Sequence, residues 1–128
     1  MKAVAREWID KAEADFSSAG REYRARKNPN YDAACFFTQQ CVEKYLKARL
    51  ALAGKPIPKT HDLSALLDLV LPLEPLWEVF RPQLEILTSY AVVFRYPGES
   101  ATRERAKAAV ANAKAIRQRV RPAFGFRE

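Results

Sequence analysis

Four groups of side chains in this sequence have the types and spacings that chemistry requires. The first is Thr60-His61-Asp62, which contains the one histidine of the chain. Thr60 or Asp62 can cap a helix. His61 then stands at a helix start, where backbone N–H groups and the dipole favour an anion. A histidine so placed can move protons or hold a phosphate. It can equally be a partly exposed member of a cap that stabilises the turn after Pro58. The second group is Arg95-Tyr96-Pro97-Gly98. Arginine presents a fork of donors that suits phosphate, and tyrosine can stack on a base or bond a phosphate. The same four residues also read as a plain helix stop, with Arg95 complementing the C-terminal carbonyls and Pro-Gly making the break.

The third group lies on one line of a helical stretch: Phe36, Gln40, Glu43 and Lys47, with Gln39 and Lys44 on its flanks. A solvated helix face accounts for the charges, and Glu43 precedes Lys47 by four residues, the favoured order. It does not account for Phe36, nor for Phe37, which also lies off the apolar stripe. Aromatics amid polar groups point to a subunit interface or the floor of a cleft. The fourth group is a basic ridge, Arg103, Lys107, Lys114, Arg117 and Arg121, within a narrow sector of the last helix. It reads as a solvated face or as a stripe that tracks phosphates.

The elements that must position these residues follow from apolar spacing. Tyr31 to Gly54 places Ala34, Cys35, Thr38, Cys41, Val42, Tyr45, Leu46, Leu52 and Ala53 on one helical face. Before it, Ala5, Trp8, Ile9, Ala12, Phe16, Ala19 and Tyr23 predict an amphipathic helix from Ala3 to about Arg26, with Gly20 weakening its last turns. Leu63, Leu66, Leu67, Val70 and Leu71 predict a third helix that Pro72 ends. A short helical piece is expected between Leu73 and Arg81.

Pro82 suits the first turn of a further helix running to about Arg95. Leu84, Leu87, Ala91 and Phe94 form one stripe of it. Ile86, Tyr90 and Val93 form a second, so this helix should be buried on two sides. Ser100 or Thr102 caps the last helix, which is buried through Ala106, Ala109, Ala113, Ile116 and Val120 and ended by Pro122. The tail from Ala123 to Glu128 is expected to be loose, unless Phe124 and Phe126 dock. The fold class is therefore all-α: one domain over residues 1–128, an antiparallel up-and-down bundle of four long helices plus one or two short ones.

A net charge of +7 and a pI of about 9.6 turn the surface towards nucleic acid, nucleotide phosphates or an acidic protein. Cys35 and Cys41, six residues apart on one helix, cannot pair with each other and suit reduced core thiols. No signal peptide and no membrane-spanning run is predicted, so a cytoplasmic protein is expected. No histidine or cysteine pair has metal spacing, no Gly-rich phosphate loop is present, and no cofactor is expected.

The order of these pieces resembles the HEPN domain family (higher eukaryotes and prokaryotes nucleotide-binding) over roughly Ala3 to Val120. The resemblance is carried by Gln40 with Glu43-Lys44-Tyr45-Leu46-Lys47, then Thr60-His61-Asp62-Leu63, then Arg95-Tyr96-Pro97. It implies a helical bundle, often dimeric. It also implies a nucleotide- or nucleic-acid-binding module that acts with a minimal nucleotidyltransferase partner, in some cases as a toxin–antitoxin pair. On it, Lys47, His61, Arg95 and Tyr96 form the expected ligand pocket. Other members of the family are metal-independent RNases with four to six residues between an arginine and a following histidine. No arginine precedes His61 at that spacing, and no histidine follows Arg95. A composite RNase site, made of His61 and Arg95 across a dimer, is the alternative reading. A docking protein for an acidic partner is a third.

Overall fold

A computed structural model of the chain describes residues 1–126. Five α-helices carry the fold: α1 (Ala3–Arg24), α2 (Tyr31–Leu52), α3 (Leu63–Val70), α4 (Arg81–Thr88) and α5 (Arg103–Val120). There is no strand among the described residues, and the all-α bundle expected from apolar spacing is what forms. Side-chain pairs give the directions. Tyr23 meets Tyr31, while Asp15 and Glu13 meet Lys44 and Tyr45, so α1 and α2 run antiparallel. Glu13 also binds Arg117 and Arg121, while Tyr23 lies under Arg103, so α1 and α5 are antiparallel as well.

The helix ends follow local chemistry. Asn30 caps α2 by accepting the Ala33 N–H at 2.9 Å, and Thr102 caps α5 by accepting that of Arg105 at 3.0 Å. Gly54, at φ +70°, closes α2 in a left-handed turn. Its N–H donates to Ala51 and that of Lys55 to Leu50, so two orphan carbonyls are satisfied. Asp32 in the first turn of α2 accepts the Ala101 N–H at 2.6 Å, which ties the loop before α5 to the start of α2.

Helix α2 runs through the middle. It packs against α1, α3, α4 and α5, and most of its residues are buried. Tyr45, Leu50, Leu63, Leu66, Leu67, Leu84, Leu87 and Ile116 are among the largest fully buried side chains. Full burial of such a side chain contributes roughly 1.5–3 kcal/mol relative to exposure.

The structure departs from expectation in two places. The helix expected from Pro82 to about Arg95 is α-helical only to Thr88. It continues as two single 3-10 turns, Ser89–Ala91 and Val93–Arg95. Side-chain hydroxyls compete with the helical ladder there. Thr88 Oγ1 donates to the Leu84 carbonyl at 2.8 Å and accepts the Leu63 N–H at 3.1 Å, while Ser89 Oγ donates to the Ile86 carbonyl at 3.2 Å. Val92 then leaves helical geometry at φ −133°. As a result the second apolar row does not form a buried face: Tyr90 turns inward, while Ile86 stays exposed. The tail, in turn, is not loose up to residue 126. Arg121–Phe124 forms a 3-10 turn, Phe124 stacks on Tyr45, and Phe126 packs against the core. The expectation for Arg127 and Glu128 lies outside the described residues.

Candidate functional site

The row Gln39, Glu43 and Lys47 recurs every four residues on α2 and so occupies one face of it. By sequence the charges on this side read as a solvated face, with Phe36 pointing to a subunit interface or the floor of a cleft. Instead all three are buried: the Glu43 and Lys47 side chains are 4% and 7% exposed. The His61 loop covers them on one side, and the Lys47 ammonium lies 5.7 Å from the centre of the Trp8 ring of α1.

Burial is tolerable because every charge is answered. Glu43 Oε1 accepts from His61 Nδ1 at 2.8 Å and from Gln39 Nε2 at 3.0 Å, and Oε2 accepts from Lys47 Nζ at 3.0 Å. Gln39 Nε2 also donates to the His61 carbonyl at 3.1 Å, and its Oε1 accepts from Gln40 at 2.7 Å. Burial alone would raise the Glu43 carboxyl, but the donors Gln39, His61 and Lys47 outweigh it and hold the pKa below the ordinary value. Glu43 is therefore an anion that can only accept, so His61 Nδ1 must carry the shared proton. The histidine side chain is 65% exposed. The result is a largely exposed ring held at one nitrogen by a buried carboxylate. A carboxylate–histidine pair of this kind orients a proton-transfer group or a phosphate donor.

His61 does not sit over a free helix start. At the start of α3 the N–H of Leu63 is taken by Thr88 Oγ1, those of Ser64 and Ala65 by Asp62 Oδ1 at 3.0 and 3.3 Å, and Thr60 Oγ1 takes that of Asp62. The chemistry of this residue comes from Glu43.

Arg95 ends the second 3-10 turn and lays its guanidinium over Phe36, 4.8 Å from the ring centre. Phe36 and Phe37 pair edge to face at 5.7 Å, and Tyr90 and Phe94 pair in a tilted arrangement at 5.4 Å. These four rings, with Asn30, Asp32, Ala33 and Arg95, line a cleft of about 330 Å³, which is at the lower end of small-molecule pockets. Phe36 thus lies on the floor of a cleft, one of the two roles its position suggested.

Among the expected ligand residues, His61 and Arg95 both stand over the same side of α2, one over Glu43 and one over Phe36. Seven residues separate those two anchors, about 10.5 Å along the axis. Tyr96 follows Arg95 and is 65% exposed, outside the cleft lining. Lys47 is buried and committed to Glu43, so it acts through that carboxylate. Glu43 and Gln39 as partners of His61 were missed. The signal available was a third polar residue four positions before the Glu43–Lys47 pair.

The basic ridge is divided. Arg117 and Arg121 turn onto Glu13, at 2.7 and 2.5 Å, beside the Tyr45 hydroxyl. They are not part of a solvated face, because Glu13 is half-buried and needs them. Burial opposes the Glu13 charge, yet Arg117, Tyr45 and Arg121 keep its pKa below the ordinary value. Arg103, Lys107 and Lys114 remain exposed. Among the described residues no three His, Cys, Asp or Glu side chains gather as a metal site, and no helix is long and apolar enough to cross a membrane.

Compared with protein-family models, residues 5–122 match the HEPN domain. No curated protein and no solved structure matches the chain.

Proposed function

The chain belongs to the HEPN domain family, and from that premise we propose that it binds a nucleotide or a short stretch of RNA along one side of α2. The aromatic cleft takes a base, Arg95 and Tyr96 close over it, and the phosphates run past Gln40 towards His61. One observation carries this reading: a guanidinium stacked on Phe36 and an imidazole oriented by Glu43 stand over one face of the same helix, on anchor residues about 10.5 Å apart along its axis. A single phosphate does not bridge that gap, whereas a nucleoside polyphosphate or a dinucleotide does. The module works with a minimal nucleotidyltransferase partner, as a two-component or toxin–antitoxin pair, and as a homodimer in the cytoplasm.

Calorimetric titration with ATP, other nucleotides and short RNA at low salt tests the reading. Binding by the purified protein, alone or with its partner, should drop at least tenfold in His61→Ala and in Arg95→Ala, since a hydrogen bond to a charged group is worth about 1.5–3 kcal/mol. Absence of binding under all these conditions overturns it.

A second reading is favoured by the oriented histidine itself. With Nδ1 fixed on Glu43, Nε2 is the atom that would take a 2′-hydroxyl proton in metal-independent RNA cleavage. Arg95 would steady a phosphate from the partner copy. RNA incubated with the protein in EDTA should then yield products that vanish in His61→Ala and fall in Glu43→Gln. Intact RNA leaves binding alone.

A further inference from the structure

We infer that the groove between α1 and α5 is a separate binding track for single-stranded nucleic acid. It shares no residue with the cleft or the His61 network. Arg21 and Arg24 from α1 and Lys114 from α5 line it, together with Phe16 and Tyr23, around a space of about 510 Å³. Arg103 adds a fourth cation, its guanidinium 5.6 Å from the Tyr23 ring centre.

None of these four cations is paired with a carboxylate among the described residues, and the groove gathers them on one concave surface. Elsewhere Arg6, Lys44, Lys47, Arg49 and Arg81 are each matched to an acid, and so is Arg117, which stacks on Phe16 4.9 Å from its ring centre but is bound to Glu13. Arg21 bonds only the Ser18 hydroxyl, at 3.1 Å. No acidic side chain lines the groove, and all four cations are exposed. Unpaired positive charge gathered in a concave surface raises the local concentration of polyanions.

The rings decide which polyanion. Arg103 and Lys114 stand eleven residues apart on α5, about 16 Å along its axis. Near the two ends of this length Tyr23 and Phe16, each with a guanidinium stacked on it, offer flat faces. An acidic peptide brings carboxylates but no rings to lie on those planes. A single strand brings both, with phosphates for the cations and bases that stack on aromatic and guanidinium surfaces whatever their sequence.

The test is fluorescence anisotropy with a labelled 20-nucleotide single-stranded RNA. Four phosphates neutralised on a single strand give a slope of log affinity against log salt of about −2.8, or about 50-fold weaker binding at 200 than at 50 mM salt. Arg24→Ala with Lys114→Ala should halve that slope, and so should Arg21→Ala with Arg103→Ala. Lys11→Ala with Lys55→Ala, two exposed lysines outside the groove, should leave it unchanged. Two results overturn the inference: a slope that neither groove pair alters, or displacement of the RNA by polyglutamate of equal charge.

Discussion

Glu43→Gln is a near-isosteric change at the most heavily used buried charge in the molecule. The carboxylate accepts from three donors, Lys47, Gln39 and His61. A glutamine offers one acceptor oxygen and two N–H donors, so either arrangement points a donor at a donor. If the amide nitrogen faces Lys47, an ammonium only 7% exposed is left against it. If it faces His61, the Gln39 amide and the imidazole collide with it in the same way. Removing one partner of a buried pair costs about 3–5 kcal/mol. The Trp8 ring under Lys47 offsets part of this, so about 3 kcal/mol is expected.

For a chain of 128 residues an unfolding entropy near 0.27 kcal/mol/K converts that cost into a drop in Tm of about 11 °C. Thermal unfolding followed by circular dichroism at neutral pH measures it. Adding Lys47→Met to Glu43→Gln removes the stranded cation, so the double variant should be more stable than Glu43→Gln alone. Nitrogen NMR of the imidazole should show the proton on Nδ1 in the parent and a shift towards Nε2 in Glu43→Gln. A loss below about 1 kcal/mol, or strictly additive effects of the two substitutions, would refute the buried-pair argument.

Acid should unfold the protein in a defined window. Glu13 and Glu43 both have pKa values held below the ordinary 4.5, so as pH falls past about 4.5 the unfolded chain takes up protons first; stability is complete above that pH and declines below it. Urea midpoints between pH 6 and pH 3 measure this, and Glu13→Gln should flatten part of the decline. The two thiols should stay silent towards Ellman's reagent until the protein unfolds, since both are buried and burial pushes Cys35 up to about 11 and Cys41 higher still; rapid titration of either thiol in native buffer contradicts the packing of α2. Gly20→Ala should stabilise α1 by about 0.5–1 kcal/mol, because a Cβ there meets only the mobile Arg24 guanidinium, at 2.6 Å; a loss in Tm would show that Arg24 cannot move aside.

The long helices were legible because their apolar spacing and their stops agreed. Ile9, Ala12 and Ala19 recur on one side of α1, Gly54 ends α2, and Thr102 and Pro122 bracket α5. The stretch from Ser89 to Arg95 was not, because Leu84, Leu87, Ala91 and Phe94 fit an α-helix and a looser coil of 3-10 turns almost equally well. Hydroxyl groups at Thr88 and Ser89 settled the matter, and their bonds depend on tertiary partners such as Leu63. The candidate residues His61 and Arg95 stood out by type. Their surroundings did not, because Glu43 and His61 lie eighteen positions apart in different elements. Nothing in the spacing of Gln39, Glu43 and Lys47 says that Trp8 and the His61 loop will close over them. A polar row looks the same on paper whether water or protein covers it.

Thr88 fastens the first amide of α3 to the last turn of α4 through a single oxygen atom. The Leu63 proton can therefore reach solvent deuterium only when that clasp opens. The strand of chain bearing the imidazole and the one leading to Arg95 hang from opposite sides of the same knot. One slowly exchanging NMR signal thus gauges the join between two segments that are remote in sequence, with no label at either end.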